Sequence, residues 1–115
     1  MAKFLFVYRG GHDSDHEPCP EEMQQVMKVW MDWIETGKEA GWLVDGGDGL
    51  LPTGQVVHPD LSVTDGPFAE SKELVGGYSI VQCDTLAQAT EVARTCPMPA
   101  AGGTVEVRQL AEIGE

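Results

Sequence analysis

The sequence predicts an α+β fold: an antiparallel sheet with two helices on one of its faces. Two kinds of apolar spacing lead to it. Lys3 to Arg9 alternates with period two and is rich in aromatic and branched residues, as a strand requires. Met23, Val26, Met27, Trp30, Ile34 and Gly37 recur at steps of three and four, as an amphipathic helix requires. Both patterns then return later in the chain.

In the first strand Phe4, Phe6 and Tyr8 share one side while Leu5 and Val7 share the other, so both faces need cover. A polar, glycine-rich loop spans Gly10 to Cys19. Pro20-Glu21-Glu22 starts the first helix: proline lacks the N–H that a first turn leaves unused, and carboxylates suit the positive helix end. Met31 and Trp33 widen its apolar surface. The plain expectation for this Met- and Trp-rich face is core; the sharper one is that Trp30 or Trp33 roofs a ligand cleft.

Gly41 stops the helix and Trp42-Leu43-Val44 opens a second strand, running into Gly46-Gly47-Asp48-Gly49. So many glycines predict a bulge or a close backbone approach. Gln55 to His58 and Leu61 to Thr64 flank the turn pair Pro59-Asp60, an extra β-hairpin. Gly77 to Cys83 alternates again, with Tyr78 and Ile80 opposite Val81 and Cys83. Asp84-Thr85 caps a second helix whose apolar side is Leu86, Ala89, Val92, Ala93 and Cys96. Pro97-Met98-Pro99 ends it, and Thr104 to Leu110 is the last strand. The order is that of a ferredoxin-like split βαβ domain. Both helices then cover one sheet face, and a second copy meeting the other face makes a homodimer the simplest cover.

Residues 1–115 form a single domain, since no linker, repeat or low-complexity tract divides them. Nineteen acidic against seven basic residues give a net charge of −12. The basic residues are scattered singly, which argues against direct nucleic-acid binding and against an anionic membrane surface. Nothing approaches the roughly 18 apolar residues of a membrane span. Three widely spaced cysteines, Cys19, Cys83 and Cys96, fit reduced thiols and a cytoplasmic location better than a disulfide framework. No cofactor motif is present: there is no CxxC pair, and Arg9-Gly10-Gly11 falls short of a phosphate-binding loop.

The most distinctive stretch is Ser62-Val63-Thr64-Asp65-Gly66-Pro67-Phe68-Ala69-Glu70-Ser71-Lys72-Glu73-Leu74-Val75-Gly76-Gly77-Tyr78. It strongly resembles the DGPF-containing branch of the YCII-related family. Ala40-Gly41-Trp42-Leu43-Val44, Asp84-Thr85-Leu86 with Ala89, Ala93 and Pro97, and Val105-Glu106-Val107-Arg108 extend the likeness over nearly the whole chain. The resemblance implies a dimeric α+β barrel. It implies little about activity, as most of this branch has no assigned reaction. Members often sit beside sigma-factor genes, which raises a regulatory association. Other members of the wider family are thought to pair a His on the first helix with an Asp, a dyad suited to proton transfer. Aligned on Ala40-Gly41, that helix position is Trp30 here, and indole does not exchange a proton near neutral pH.

The segment also has a physical reading. Gly66 before Pro67 is steered away from the helical region, and Pro67 fixes φ, so the pair makes a rigid exit from the strand ending at Asp65. Phe68 can plug back into apolar surface. Asp65 is either a turn carboxylate satisfied by local amides or a group at a cleft mouth, acting as general base or ligand anchor. Glu70, Lys72 and Glu73 read as a solvated charged loop.

The remaining cluster is Gly10-Gly11-His12-Asp13-Ser14-Asp15-His16-Glu17. The expectation is a hydrated acidic loop holding no metal; the sharper reading has His12 or His16 reach the cleft and replace the missing helix histidine. The candidate catalytic residues are therefore Asp65, His12 and His16, and the candidate ligand wall is Trp30, Asp65, Gly66, Pro67 and Phe68. Two functions compete. One is a homodimeric small-ligand-binding or regulatory module; the other is a small-molecule enzyme with lyase- or isomerase-like acid–base chemistry at Asp65. The absent helix histidine favours the first.

Overall fold

A computed structural model describes residues 2–10, 20–51, 53–66 and 75–111. The elements are β1 (Ala2–Arg9), α1 (Pro20–Ala40), β2 (Leu43–Asp45), β3 (Gly54–Val57), β4 (Val63–Gly66), β5 (Val75–Cys83), α2 (Leu86–Arg94) and β6 (Thr104–Gln109). A short 3-10 turn, Pro99–Ala101, precedes β6. The main sheet runs β2-β5-β1-β6 with every pairing antiparallel, the order of a split βαβ domain. β3 and β4 form a separate two-stranded ribbon.

Strand register fixes the two faces. Phe4, Phe6 and Tyr8 lie opposite Val81, Ser79 and Gly77 on β5, and all six are buried under the helices. Trp33, Ala89, Ala93 and Cys96 close this core from the helix side. Leu5, Val7, Tyr78 and Ile80 alternate with them on the opposite face, where they are half-buried.

α1 ends where Gly41 turns left-handed, at φ +87°. The Trp42 N–H reaches the Gly37 carbonyl at 3.1 Å and the Gly41 N–H reaches Lys38 at 3.3 Å, the double closure of a Schellman motif. The Trp42 ring lies against Gly37, so closely that a Cβ there would come within 2.7 Å of it. α2 is capped by Thr85, whose hydroxyl accepts from the Gln88 N–H at 3.2 Å, while Gln88 Oε1 accepts from the Asp84 N–H at 2.9 Å.

The expected close approach at the glycine run is present. Register shifts between Leu43 and Asp45, and Gly47, at φ +70°, passes so near β5 that any Cβ would overlap the Tyr78 carbonyl oxygen. The Gly47 N–H donates to Asp45 Oδ1 at 2.8 Å, and Gly49 bridges to Gly77.

Two expectations about packing are corrected. Met23, Val26 and Met27 belong to the core-facing stripe of α1 by spacing, yet they are 53%, 55% and 64% exposed. Leu86, expected on the buried side of α2, is also exposed: as the first residue of α2 it stands at the helix rim. Among the described residues no helix is long and apolar enough to cross a membrane.

Candidate functional site

The site is built where β1 runs out beneath α1. Tyr8 is the last inward-facing residue of β1, and its neighbours force it under the helix rather than into water. Its hydroxyl donates to Ser79 Oγ at 2.8 Å, and Ser79 Oγ donates on to the Gly46 carbonyl at 2.8 Å. This buried relay ties β1, β5 and the glycine-rich extension of β2 together. Burial pushes the Tyr8 phenol well above its ordinary pKa, the Ser79 hydrogen bond offsetting part of the rise. Tyr8 is thus a neutral, engaged donor at ordinary pH.

Trp30 packs edge-on against the Tyr8 ring, with centroids 5.0 Å apart and planes at 67°. It is half-buried and touches Trp33 in turn, at 5.9 Å and 87°. Trp33 is buried and meets Phe6 at 6.4 Å and Trp42 at 5.1 Å. The Trp33 indole N–H is satisfied by Thr95 Oγ1 at 2.9 Å, whose own proton goes to the Val92 carbonyl at 2.6 Å. Beyond Trp30 the stripe continues as Met27, Val26 and Met23, all bare. Together these residues make a wall that is rigid at Tyr8 and Trp30, and apolar and open beyond them.

The other sequence candidates are placed as follows. Asp65 is the third residue of β4, opposite Gln55 on the ribbon, with Gly66 ending the strand. The Asp65 side chain is exposed and has no hydrogen bond or ion pair among the described residues. The described contacts do not join it to Trp30, whose ring partners are Tyr8 and Trp33. Pro67, Phe68, His12 and His16 lie outside the described residues. His58 sits at the ribbon turn, where Nε2 is 2.9 Å from Thr64 Oγ1. Cys83 and Cys96 are free and buried; burial raises both thiols, which favours the unreactive protonated form.

The spacing in the sequence puts Tyr8 on the face of Phe4 and Phe6, without saying which face is inner, and gives neither it nor Ser79 a role. A signal was there. Tyr8 ends an otherwise apolar inward row, and Ser79 is the one small polar residue in the facing row of β5. Pairing the two strands brings together the one phenol and the one hydroxyl that need partners.

A concavity lies between the helices. It has a volume of about 600 Å³ and is floored by Trp33 and Trp42, with α1 and α2 as its sides.

A comparison with curated proteins gave no match. Among solved structures, the chain is similar to 5-chloro-2-hydroxyhydroquinone dehydrochlorinase from Burkholderia phenoliruptrix AC1100, in complex with 2,5-dihydroxybenzoquinone. The identity is 13%, with 95% of this chain and 93% of that chain covered, at a TM-score of 0.46. The model of the YCII-related domain matches residues 4–113. With that match spanning nearly its full length, the chain belongs to the YCII-related family.

Proposed function

We propose that the protein is a homodimeric small-ligand-binding or regulatory module of the cytoplasm, with its ligand seated against Trp30 and the bare N-terminal half of α1. One observation carries the reading: the stripe that is buried at Trp33 and Gly37 continues unbroken, and uncovered, through Met27, Val26 and Met23. The wall invites an apolar or flat ligand, since its described residues supply π-faces and methyl groups and only one, already engaged, hydroxyl. The half-buried face of Leu5, Val7, Tyr78 and Ile80 is where a second copy meets the first. Reduced, buried Cys83 and Cys96 fit a cytoplasmic setting.

Catalysis by Asp65 is the second reading. It is favoured by the Asp65 carboxylate being exposed and unconsumed by local amides among the described residues. A thermal-shift screen against metabolite mixtures, repeated with Val26→Ser and Asp65→Asn, separates the two. Binding lost in Val26→Ser with the melting temperature of the free protein unchanged supports the helix wall. A compound that is bound and also turned over, with turnover alone lost in Asp65→Asn, supports chemistry instead. Sedimentation showing a stable monomer at micromolar concentration would remove the dimer.

A further inference from the structure

The groove between the two helices is separate from the wall at Trp30 and has different chemistry. Its floor is made of two indoles in contact, buried Trp33 and half-buried Trp42, with centroids 5.1 Å apart and planes inclined at 54°. The Trp33 N–H is already committed to Thr95 Oγ1 and its ring is buried, so half-buried Trp42 supplies the indole surface open to a ligand. One carboxylate stands on each side: Asp32 from α1 and Glu91 from α2. Thr36 and Thr95 add hydroxyls, and among the described residues no lysine or arginine lines the groove. Arg94 does approach Glu91, at 3.5 Å, but both side chains are about 70% exposed, and an exposed i,i+3 pair is easily exchanged for another cation.

We infer that this groove is a binding site for an organic cation, a protonated or quaternary amine carrying an apolar body. Indole faces attract cations through their quadrupole, most strongly where water is partly excluded. Carboxylates on opposite sides supply the matching charge without occupying the floor. The net charge of −12 draws cations toward the molecule and keeps organic anions away. Asp32 and Glu91 lie 59 positions apart in sequence, and only the placement of α1 and α2 over one sheet sets them across a common groove.

The test uses benzyltrimethylammonium as probe, with benzyl alcohol and benzoate as its neutral and anionic counterparts. Binding is followed by the indole resonances of Trp33 and Trp42 and by tryptophan fluorescence. The expected result is saturable binding of the cation, at least about tenfold tighter than either counterpart. Asp32→Asn and Glu91→Gln, both exposed substitutions that leave the core intact, should each weaken it about two- to fivefold. Equal affinity for the three probes, a cation affinity weaker than about 10 mM, or unchanged affinity in the double variant would each overturn the proposal. Loss of cation binding in Val26→Ser, with no effect of Asp32→Asn or Glu91→Gln, would also overturn it, moving the ligand to the wall at Trp30 while leaving that wall's reading intact.

Discussion

From Trp30 to Gly37 the apolar stripe of α1 lies over the sheet, with Trp33 packed against Phe6 and Trp42; from Met23 to Met27 the same stripe faces outward. Both halves carry large apolar side chains, tryptophan and isoleucine in one and methionine and valine in the other. What changes is the floor. Trp30 meets Tyr8, and β1 runs only one residue further, to Arg9, whereas ten residues of α1 precede Trp30, about 15 Å of helix at 1.5 Å per residue. The stripe therefore outruns its sheet. Periodicity decides which side chains share a face, and the reach of the neighbouring element decides which of them are covered.

The largest expected effect lies in the covered half. Trp33→Ala should cost about 3–5 kcal/mol in urea denaturation, since it empties the centre of the aromatic cluster. Met27→Ala should stay within about 0.5 kcal/mol, as for other exposed positions. A cost at Met27 near that at Trp33 would break the contrast between the halves.

Gly37→Ala comes next. Its Cβ would stand 2.7 Å from the Trp42 ring and 2.9 Å from Leu43 Cβ, so overpacking of about 1–3 kcal/mol works against a helix-propensity gain of about 1 kcal/mol. The ring is rigid and Leu43 is on a strand, so net destabilisation is expected, read as a lower melting temperature. Stabilisation would mean that Trp42 is free to move off the helix.

Tyr8 marks the boundary between the halves and gives it a pH signature. Its folded-state pKa is raised, so as pH climbs past about 10 the unfolded chain gives up this proton first. The contribution is whole below that pH and is lost as pH rises toward the higher folded value, by at most about 1.4 kcal/mol per pH unit. Tyr8→Phe should lack this slope relative to wild type in alkaline denaturation and cost about 1 kcal/mol near neutrality. Matching slopes in the two proteins would show that the phenol is not held.

The smallest stability change belongs to the bare half. Replacing Met23, Val26 and Met27 together by Ser should leave the urea midpoint nearly unchanged yet reduce fluorescence of an apolar-surface dye, which reads the wall directly. A cooperative loss of fold would show that this half is covered after all.

Much of the fold was legible because it rests on local rules. Alternation in Lys3 to Arg9, the stop at Gly41 and the cap at Thr85 each depend on a few adjacent residues, and each occurs as expected within a residue or so. The glycine run announced a close approach, though not that Gly47 would be the contact. The site was less legible, because its parts are distant in sequence. Tyr8 and Ser79 are separated by 71 positions and meet only through register. Trp30 was singled out as a wall, but nothing in the spacing tells Met27 from Ile34; that difference is a matter of where a strand ends. Asp65 stood out by the company of Gly66 and Pro67, and its place on a ribbon outside the main sheet depends on which strands pair.

The aromatic chain from Trp30 through Trp33 to Trp42 includes every tryptophan in the protein. With centroids 5–6 Å apart, the three indoles cannot behave as independent chromophores. Excitation absorbed by any one should be shared among the others, and their coupled transitions should give a structured near-ultraviolet circular dichroism signal that vanishes on unfolding. Trp30 borders the open wall and Trp42 floors the interhelical groove, with Trp33 between them. The protein thus carries a built-in optical reporter, in which occupation of either the wall or the groove perturbs one end of a shared signal.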